Sequence, residues 1–512
     1  MTMTVRNFIG GTWAAAADGR QFSSRNPADI RELVAEAPLS ARVDVDRAVE
    51  AARVALPAWR SLPPPRRGEI LFRAGELLAR NKQRLGELVV REMGKVLPEG
   101  LGDVQEAIDI AYYMAGEGRR LQGETVPSEL PDKECKSVRE PLGVVALVTP
   151  WNFPVAIPGW KLFASLICGN TVVLKPSSET PACAAALVAV MEKAGVPPGV
   201  VNLVCGSGEE VGEYLLTHPG VDAASFTGSC AAGERLEQLL AVLHRPLALE
   251  MGGKNAIIVM DDADLGLALE GALWGGFGTS GQRCTAASRL IVHERVHDRF
   301  VGLLCGRAAR MRLGSGLKSE TDVGPVINEA QCRKILDYID IGTGEGARLL
   351  TGGQRVTDGD LGNGFFIAPT VFSGVRPEMR IAREEIFGPV VSVLRCASLE
   401  DAIEIANDVP FGLSSSIYSR DVNGTARAER ELQSGIVYIN ASTIGAEVQL
   451  PFGGWKHSGS GHPEAGGRGG AIDFFSRVKV IYRDYSGKLQ KAQIDTQQQT
   501  GEAGDKEVGM RP

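Results

Sequence analysis

Cys284 lies in the run Gly281-Gln-Arg-Cys-Thr285, and Glu250 lies 34 residues upstream in Leu249-Glu-Met-Gly-Gly-Lys254. A thiolate is the strongest nucleophile a side chain offers to a carbonyl carbon near neutral pH. A carboxylate held in a partly apolar site takes a raised pKa and can then activate the water that releases an acyl group from sulfur. A third run, Pro150-Trp-Asn-Phe-Pro154, supplies the Asn152 side-chain amide as a donor for the oxyanion that forms on attack. The loss of one such donor typically slows acyl chemistry roughly 10²–10³-fold. Read alone, each of these residues has a plainer role: a small buried thiol, a surface carboxylate or one paired with Lys254, a turn amide before proline. The glycine-rich run 275–281 ahead of Cys284 allows close approach of backbone to a bound molecule, and the following Thr285-Ala-Ala-Ser reads as helical.

A second set of fragments points to phosphate and ribose recognition. Gly206-Ser-Gly-Glu-Glu-Val-Gly212 follows one strand-like run and opens a helix, so that a helix N-terminus around Gly208 faces an anion. Its spacing is not the standard dinucleotide fingerprint. Phe226-Thr-Gly228-Ser229 repeats the same strand-to-helix layout. Lys175 stands in Leu174-Lys-Pro-Ser-Ser-Glu-Thr-Pro181, and Glu385 and Phe387 stand in Glu384-Glu-Ile-Phe-Gly-Pro389. Any one of these reads as a turn; their joint presence does not.

With Cys284, Glu250 and Asn152, these motifs in this order resemble the aldehyde dehydrogenase superfamily over about residues 8–485. The resemblance implies oxidation of an aldehyde to a carboxylic acid with a nicotinamide cofactor, through a cysteine thiohemiacetal and thioester. It implies an oxyanion hole from Asn152 and the Cys284 N–H, Glu250 as base, and Lys175 as a further member of the catalytic set. It assigns the cofactor to Thr149, Pro150, Trp151, Lys175, Ser177, Ser178, Gly208, Phe226, Gly228, Ser229, Glu250, Gly252, Glu385 and Phe387, with Lys175 at the adenosine ribose and Glu385 and Phe387 at the nicotinamide end. Glu250 favours hydrolysis to the free acid over transfer to coenzyme A. Many NAD-preferring members carry an acid three residues after the lysine, where this chain has Ser178. A serine there accepts a 2′-phosphate, so NADP is expected to be tolerated or preferred, with NAD as the alternative and Glu179 close enough to compete.

Within the family, the body of the chain resembles bacterial dehydrogenases of 2-oxoglutarate semialdehyde (2,5-dioxopentanoate). The stretches that carry this are 152–158, Arg91-Glu-Met-Gly-Lys95, 250–255, Ile405-Ala-Asn-Asp408 and Asp473-Phe-Phe475. A carboxylated aldehyde needs a cation at the far end of its tunnel, and Arg283 is the candidate; its plainer role is an ion pair. Phe153, Trp160, Phe277 and Phe452 are candidate apolar walls. Succinic semialdehyde or uncharged aliphatic and aromatic aldehydes are alternatives. A cysteine esterase or an inactive binding protein are remote ones. Near the C-terminus Pro451-Phe-Gly-Gly-Trp-Lys-His-Ser-Gly fits the family, but the usual Gly-Arg-Glu becomes Gly461-His-Pro-Glu464, at a segment that borders the substrate mouth in relatives.

These groups need a scaffold. A chain of 512 residues with 44% hydrophobic and 23% charged residues is an ordinary globular composition, too long for one core. Short apolar runs at 143–148, 171–174, 200–204, 223–226 and 246–249 alternate with helix-length segments at 157–168, 182–194, 209–218 and 231–243. That alternation predicts a doubly wound parallel sheet, which binds ligands at the carboxyl ends of its strands. A second series, 255–259, 289–292, 390–394 and 414–418, predicts another α/β unit. The expected class is α/β: a Rossmann-like parallel-sheet cofactor domain (1–122 and 140–250), a second α/β catalytic domain (251–452), and a small β flap (123–139 and 470–487). Residues 1–140 are expected to be mainly helical after a strand pair at 7–13, and 488–512 is expected to be a polar tail. The flap implies a homodimer or homotetramer by resemblance.

The net charge of −7 argues against nucleic acid or an anionic membrane as partner. Nine cysteines with no paired spacing suit a reducing compartment, and six histidines form no ligand pattern, so no metal is expected. With no apolar signal core at the start and no long apolar span, a cytoplasmic protein is expected.

Overall fold

The computed structural model describes residues 2–493. Five parallel strands make the first sheet, in the order Leu247–Glu250, Ala223–Thr227, Val144–Val148, Thr171–Lys175 and Val201–Leu203, and the antiparallel pair Asn7–Ile9 and Thr12–Ala14 closes its edge. All residues of Val144–Val148 and Thr171–Lys175 are buried. A parallel strand covered by helices on both faces has no polar side, which is why Val144–Val148 is apolar throughout and Thr171–Lys175 is apolar between its two ends. The wholly buried helix Ala156–Cys168 packs on one face, and its turn into the next strand passes through Gly169 at φ +97°.

The chain winds from Val144–Val148 one way through Thr171–Lys175, then crosses to Ala223–Thr227 on the other side. The crevice at such a reversal is where doubly wound sheets place ligands. The register aligns Val148 with Lys175 and with Phe226, and Thr227 with Glu250. One edge of the sheet therefore carries Thr149, Lys175, Gly228 and Glu250 together.

The second sheet runs Arg348–Thr351, Thr370–Ser373, Val390–Cys396, Ala287–His293, Asn255–Val259, Ser414–Tyr418 and Ile436–Ile439, parallel except at Arg348–Thr351. A third, three-stranded sheet pairs Lys133–Pro141 with Ser476–Asp484 over nine antiparallel positions, with Thr125–Val126 on its other side. The expected α/β class stands.

Several local expectations are corrected. The first 140 residues also contain strands Gln21–Asn26 and Asp29–Pro38, paired with each other and with Met3–Thr4. Their charged, irregular alternation hides them. Residues 209–218 form a π-helical turn, Gly208–Glu213, and a short helix, Tyr214–Thr217, rather than one α-helix. Thr285-Ala-Ala-Ser is not helical: it leads straight into strand Ala287–His293. The last strand starts at Ser476, after a short helix Ala471–Phe474. Among the described residues no helix is long and apolar enough to cross a membrane. Most of the expected polar tail, 494–512, lies outside the described residues.

Candidate active site

Cys284 is placed by a tight, buried turn. Thr279 and Ser280 both adopt left-handed backbone, at φ +52° and +56°, a conformation that costs a residue with a Cβ about 1–3 kcal/mol each. Compensating hydrogen bonds surround them. The Thr279 N–H donates to Glu99 Oε1 at 2.8 Å, and Ser280 Oγ donates to the Gly324 carbonyl at 2.7 Å. Gln282, fully buried, donates to the carbonyls of Thr279 (3.2 Å) and Pro325 (3.3 Å) and accepts from the Ile327 N–H (2.9 Å). Gly281 follows at φ +67°, where an added Cβ would lie 2.1 Å from the Gly388 carbonyl oxygen, so only glycine fits. On the far side Asn255 Nδ2 donates to the carbonyls of Cys284 (2.7 Å) and Ala286 (3.0 Å).

The Asn152 amide reaches the same turn, donating through Nδ2 to the Gln282 carbonyl at 3.2 Å. An amide nitrogen has two hydrogens, and the second is the donor available to an oxyanion on a substrate bound at Cys284.

Glu250 ends its strand with its side chain buried. Its Oε2 accepts from the Gly454 N–H at 3.3 Å, and its Oε1 is buried with no hydrogen-bond partner among the described residues. Burial, then the charge of Glu464, push its carboxyl well above the usual carboxylate range, with Lys161 opposing. Glu464 itself bridges Lys161 and the Thr227 hydroxyl, and Lys161 Nζ also donates to Ser225 Oγ at 2.6 Å. Burial, Glu464, Glu250 and Glu385 likewise push the Cys284 thiol far up. Both shifts favour the neutral forms of the two groups. The alternative Glu250–Lys254 pair does not form: Lys254 Nζ is buried without a hydrogen-bond partner among the described residues.

A cleft joins these groups to the expected cofactor residues. It is lined by Pro150, Trp151, Asn152, Gly228, Ser229, Gly252, Cys284, Glu385 and Phe387, with Met251, Gln331 and Lys334. Trp151 and Phe387 meet edge to face at 5.5 Å. Phe387 is held at φ +60°, with Gln331 Nε2 donating to its carbonyl at 2.8 Å. Glu385 Oε1 accepts from the Gly253 N–H at 3.0 Å, and an added Cβ on Gly252 would fall 2.3 Å from the Glu385 carboxylate. Burial pushes the Glu385 carboxyl up.

At the other end, Lys175 Nζ donates to the Pro176 carbonyl at 2.8 Å, and burial lowers its pKa to about 8. Ser178 Oγ donates to the Gly206 carbonyl at 2.9 Å, and Ser177 Oγ accepts from the Glu179 N–H. The Glu179 carboxylate turns to Asn328 Nδ2 at 3.0 Å. Thr149 Oγ1 is buried at the strand ends without a partner. Gly208 has open space where a side chain would stand, and Ser229 Oγ accepts the Ala232 N–H at the start of its helix. The residues present suit a dinucleotide: a carboxylate that could accept from ribose hydroxyls and paired rings at one end, a lysine and hydroxyls at the other, and glycine turns between.

The expected substrate residues group less simply. Phe153 lies between Lys95 Nζ (3.8 Å) and the Arg283 guanidinium (5.2 Å), which also stacks on Trp274 at 4.8 Å. Trp160 and Phe452 pack ring to ring at 5.1 Å. Phe277 is not a tunnel wall: it is fully buried in the core of the second sheet with Ile257 and Leu290. Arg283 is already engaged, through Nη2 to Glu99 Oε1 (3.3 Å) and Nε to Thr279 Oγ1 (2.9 Å); its Nη1 forms no hydrogen bond to a described residue. Sequence reasoning misses Glu99, Lys161, Asn255, Gln282 and Glu464, because each acts through a partner distant in the chain. The altered segment 461–464 is the one visible trace, since it delivers Glu464.

Comparison with known proteins agrees with this architecture. The aldehyde dehydrogenase family profile matches residues 13–481. The alpha-ketoglutaric semialdehyde dehydrogenase of Bacillus subtilis (strain 168) is 43% identical over 479 residues, 94% of this chain and 98% of that one. The alpha-ketoglutarate semialdehyde dehydrogenase of Haloferax volcanii is 41% identical over 95% of this chain and 100% of that one. The crystal structure of betaine aldehyde dehydrogenase from Staphylococcus aureus in complex with NAD+ superposes with a TM-score of 0.92 at 35% identity, covering 94% of this chain and 96% of that one. The chain belongs to the aldehyde dehydrogenase family.

Proposed function

We propose that this aldehyde dehydrogenase oxidises a carboxylate-bearing semialdehyde, such as 2-oxoglutarate semialdehyde, to the free acid through covalent attachment at Cys284. The observation that carries the reaction is that Cys284 and Asn152 line one cleft with Glu385 and Phe387, while the buried Glu250 carboxylate is near enough to act electrostatically on the Cys284 thiol. Glu250 takes the thiol proton as sulfur adds to the aldehyde carbon, and Asn152 donates to the oxygen of the resulting thiohemiacetal. A nicotinamide, when bound between Trp151, Glu385 and Phe387, supplies the hydride acceptor that makes oxidation to a thioester possible. Once Glu250 has passed the thiol proton to solvent, it takes a proton from a water; attack of that water on the thioester breaks the C–S bond and releases the acid, and the departing thiolate takes the proton back from Glu250.

The semialdehyde reading is supported by the names of the relatives and by the uncommitted Nη1 of Arg283, held rigid between Phe153 and Trp274. The test is turnover of 2-oxoglutarate semialdehyde, succinic semialdehyde, acetaldehyde and benzaldehyde. Arg283→Ala is expected to raise KM for the acids alone. A flat profile with equal effects on both classes sinks the semialdehyde reading.

For the cofactor we propose that NADP is accepted alongside NAD. Ser178 leaves no carboxylate at its position, and Glu179 is drawn to Asn328. A kcat/KM for NAD exceeding that for NADP by orders of magnitude refutes this. The exposed face of Ser476–Asp484, with Val478, Val480 and Tyr482 standing out, supports a homodimer or homotetramer, measurable by light scattering.

A further inference from the structure

We infer that Glu99 is a positioning residue for the nucleophile, acting through the turn 279–283. The inference rests on Cys284 as the attacking group. Glu99 lies in the first turn of helix Leu97–Glu117, an element of the first half of the chain, while the turn belongs to the second. Its one engaged oxygen, Oε1, accepts from the Thr279 N–H at 2.8 Å and from Arg283 Nη2 at 3.3 Å. Arg283 returns to the same residue through Nε to Thr279 Oγ1 at 2.9 Å. The three side chains close a loop around the first of two consecutive left-handed residues, Thr279 and Ser280, with Cys284 five residues beyond Thr279.

The carboxylate is more than nine-tenths buried, and its second oxygen, Oε2, has no partner among the described residues. A buried charged oxygen left unsatisfied is costly, so the arrangement is not explained by Glu99's own stability. It is explained if the oxygen that is engaged has a task. Without it, the Thr279 N–H would be orphaned in a buried site, and the strained pair would be left with the bonds from Ser280 to Gly324 and from Gln282 to Thr279 to oppose relaxation to right-handed backbone. That relaxation would carry Gly281, Gln282 and Cys284 away from the Asn152 amide. Arg283, freed from Glu99, would move with them.

The test compares Glu99→Ala, Glu99→Gln and Glu99→Asp in the full chain, with folding checked by circular dichroism. Two readouts are taken: kcat with benzaldehyde, and the rate at which iodoacetamide alkylates Cys284. Glu99→Ala is expected to lower kcat roughly 10²-fold, since a shift of about 1 Å has that effect. Alkylation should slow in parallel while the cofactor KM stays put. Glu99→Gln keeps an oxygen on the Thr279 N–H and should recover to within about tenfold of the parent. Thr279→Gly, which accepts left-handed backbone without strain, should partly rescue Glu99→Ala. If Glu99→Ala does not fold, Glu99→Asp withdraws the acceptor by one methylene, and a fall of about tenfold with unmoved cofactor KM supports the role. Folded Glu99→Ala, or Glu99→Asp in its place, within about twofold of the parent in both readouts overturns it. So does Glu99→Gln as slow as Glu99→Ala. Retained oxidation by Cys284→Ala would instead sink the nucleophile assignment and leave the turn unexplained.

Discussion

At the residue scale, the site sets a raised thiol near a raised carboxylate, and the two share their causes: burial first, then the charge of Glu464. Glu250 works as a base only when ionised, so turnover limited by thioester hydrolysis should climb as pH rises through its elevated pKa. Glu464 is the second cause of that elevation, after burial. Glu464→Gln removes the like charge and leaves Lys161 as a bare cation nearby, and both changes favour ionised Glu250. The acid limb of the kcat–pH profile should therefore move to lower pH; an unmoved limb would mean that Glu464 does not feel Glu250. Asn152→Ala should cost roughly 10²–10³ in kcat, as other oxyanion donors do, with little change in cofactor KM. For Lys175 the sign runs the other way. Its pKa is lowered to about 8, so its charge is present below that value and fades above it. The KM for NADP should rise as pH passes about 8, more steeply than the KM for NAD, and Lys175→Met should flatten both curves.

At the element scale, the strands that aim the site are those the sequence displays most openly. Val144–Val148 and Thr171–Lys175 are buried on both faces, so their apolar runs are unbroken and their carboxyl ends can be located within a residue or two. The nucleophile turn is legible only in part. Cys284 and its glycines are visible, yet nothing local marks Thr279 and Ser280 as left-handed, because the bonds that hold them there come from Glu99, Gly324 and Gln282. Arg283 shows the same limit: the sequence shows a cation beside the nucleophile but not the carboxylate that already holds it. Thr285-Ala-Ala-Ser misleads because alanine favours helices, whereas Asn255 draws this stretch into a strand edge. Gly281→Ala is expected to be far worse than an ordinary loop substitution, since its Cβ meets backbone rather than a movable side chain. Loss of Cys284 alkylation with a near-normal circular dichroism spectrum is the expected result.

At the scale of the whole molecule, the two α/β units meet at the cleft and both line it: Asn152 and Gly228 from the first, Cys284 and Glu385 from the second. The alternating pattern exposes both sheets but not the small sheet Gln21–Asn26 and Asp29–Pro38, whose strands are mixed in polarity and half exposed. Truncation after Phe475 should remove the partner of Lys133–Pro141 and leave an open edge; loss of the native assembly by light scattering is the outcome to look for, and an unchanged mass would detach the flap from association.

That small third sheet also carries a consequence in time. Arg139 and Ser476, neighbours across its central ladder, are 337 residues apart in the chain. At roughly 5–20 residues per second, a ribosome needs on the order of tens of seconds to pass from one to the other. The strand Lys133–Pro141 leaves the exit tunnel long before its partner exists, so the flap is the last part of the fold that a nascent chain can complete.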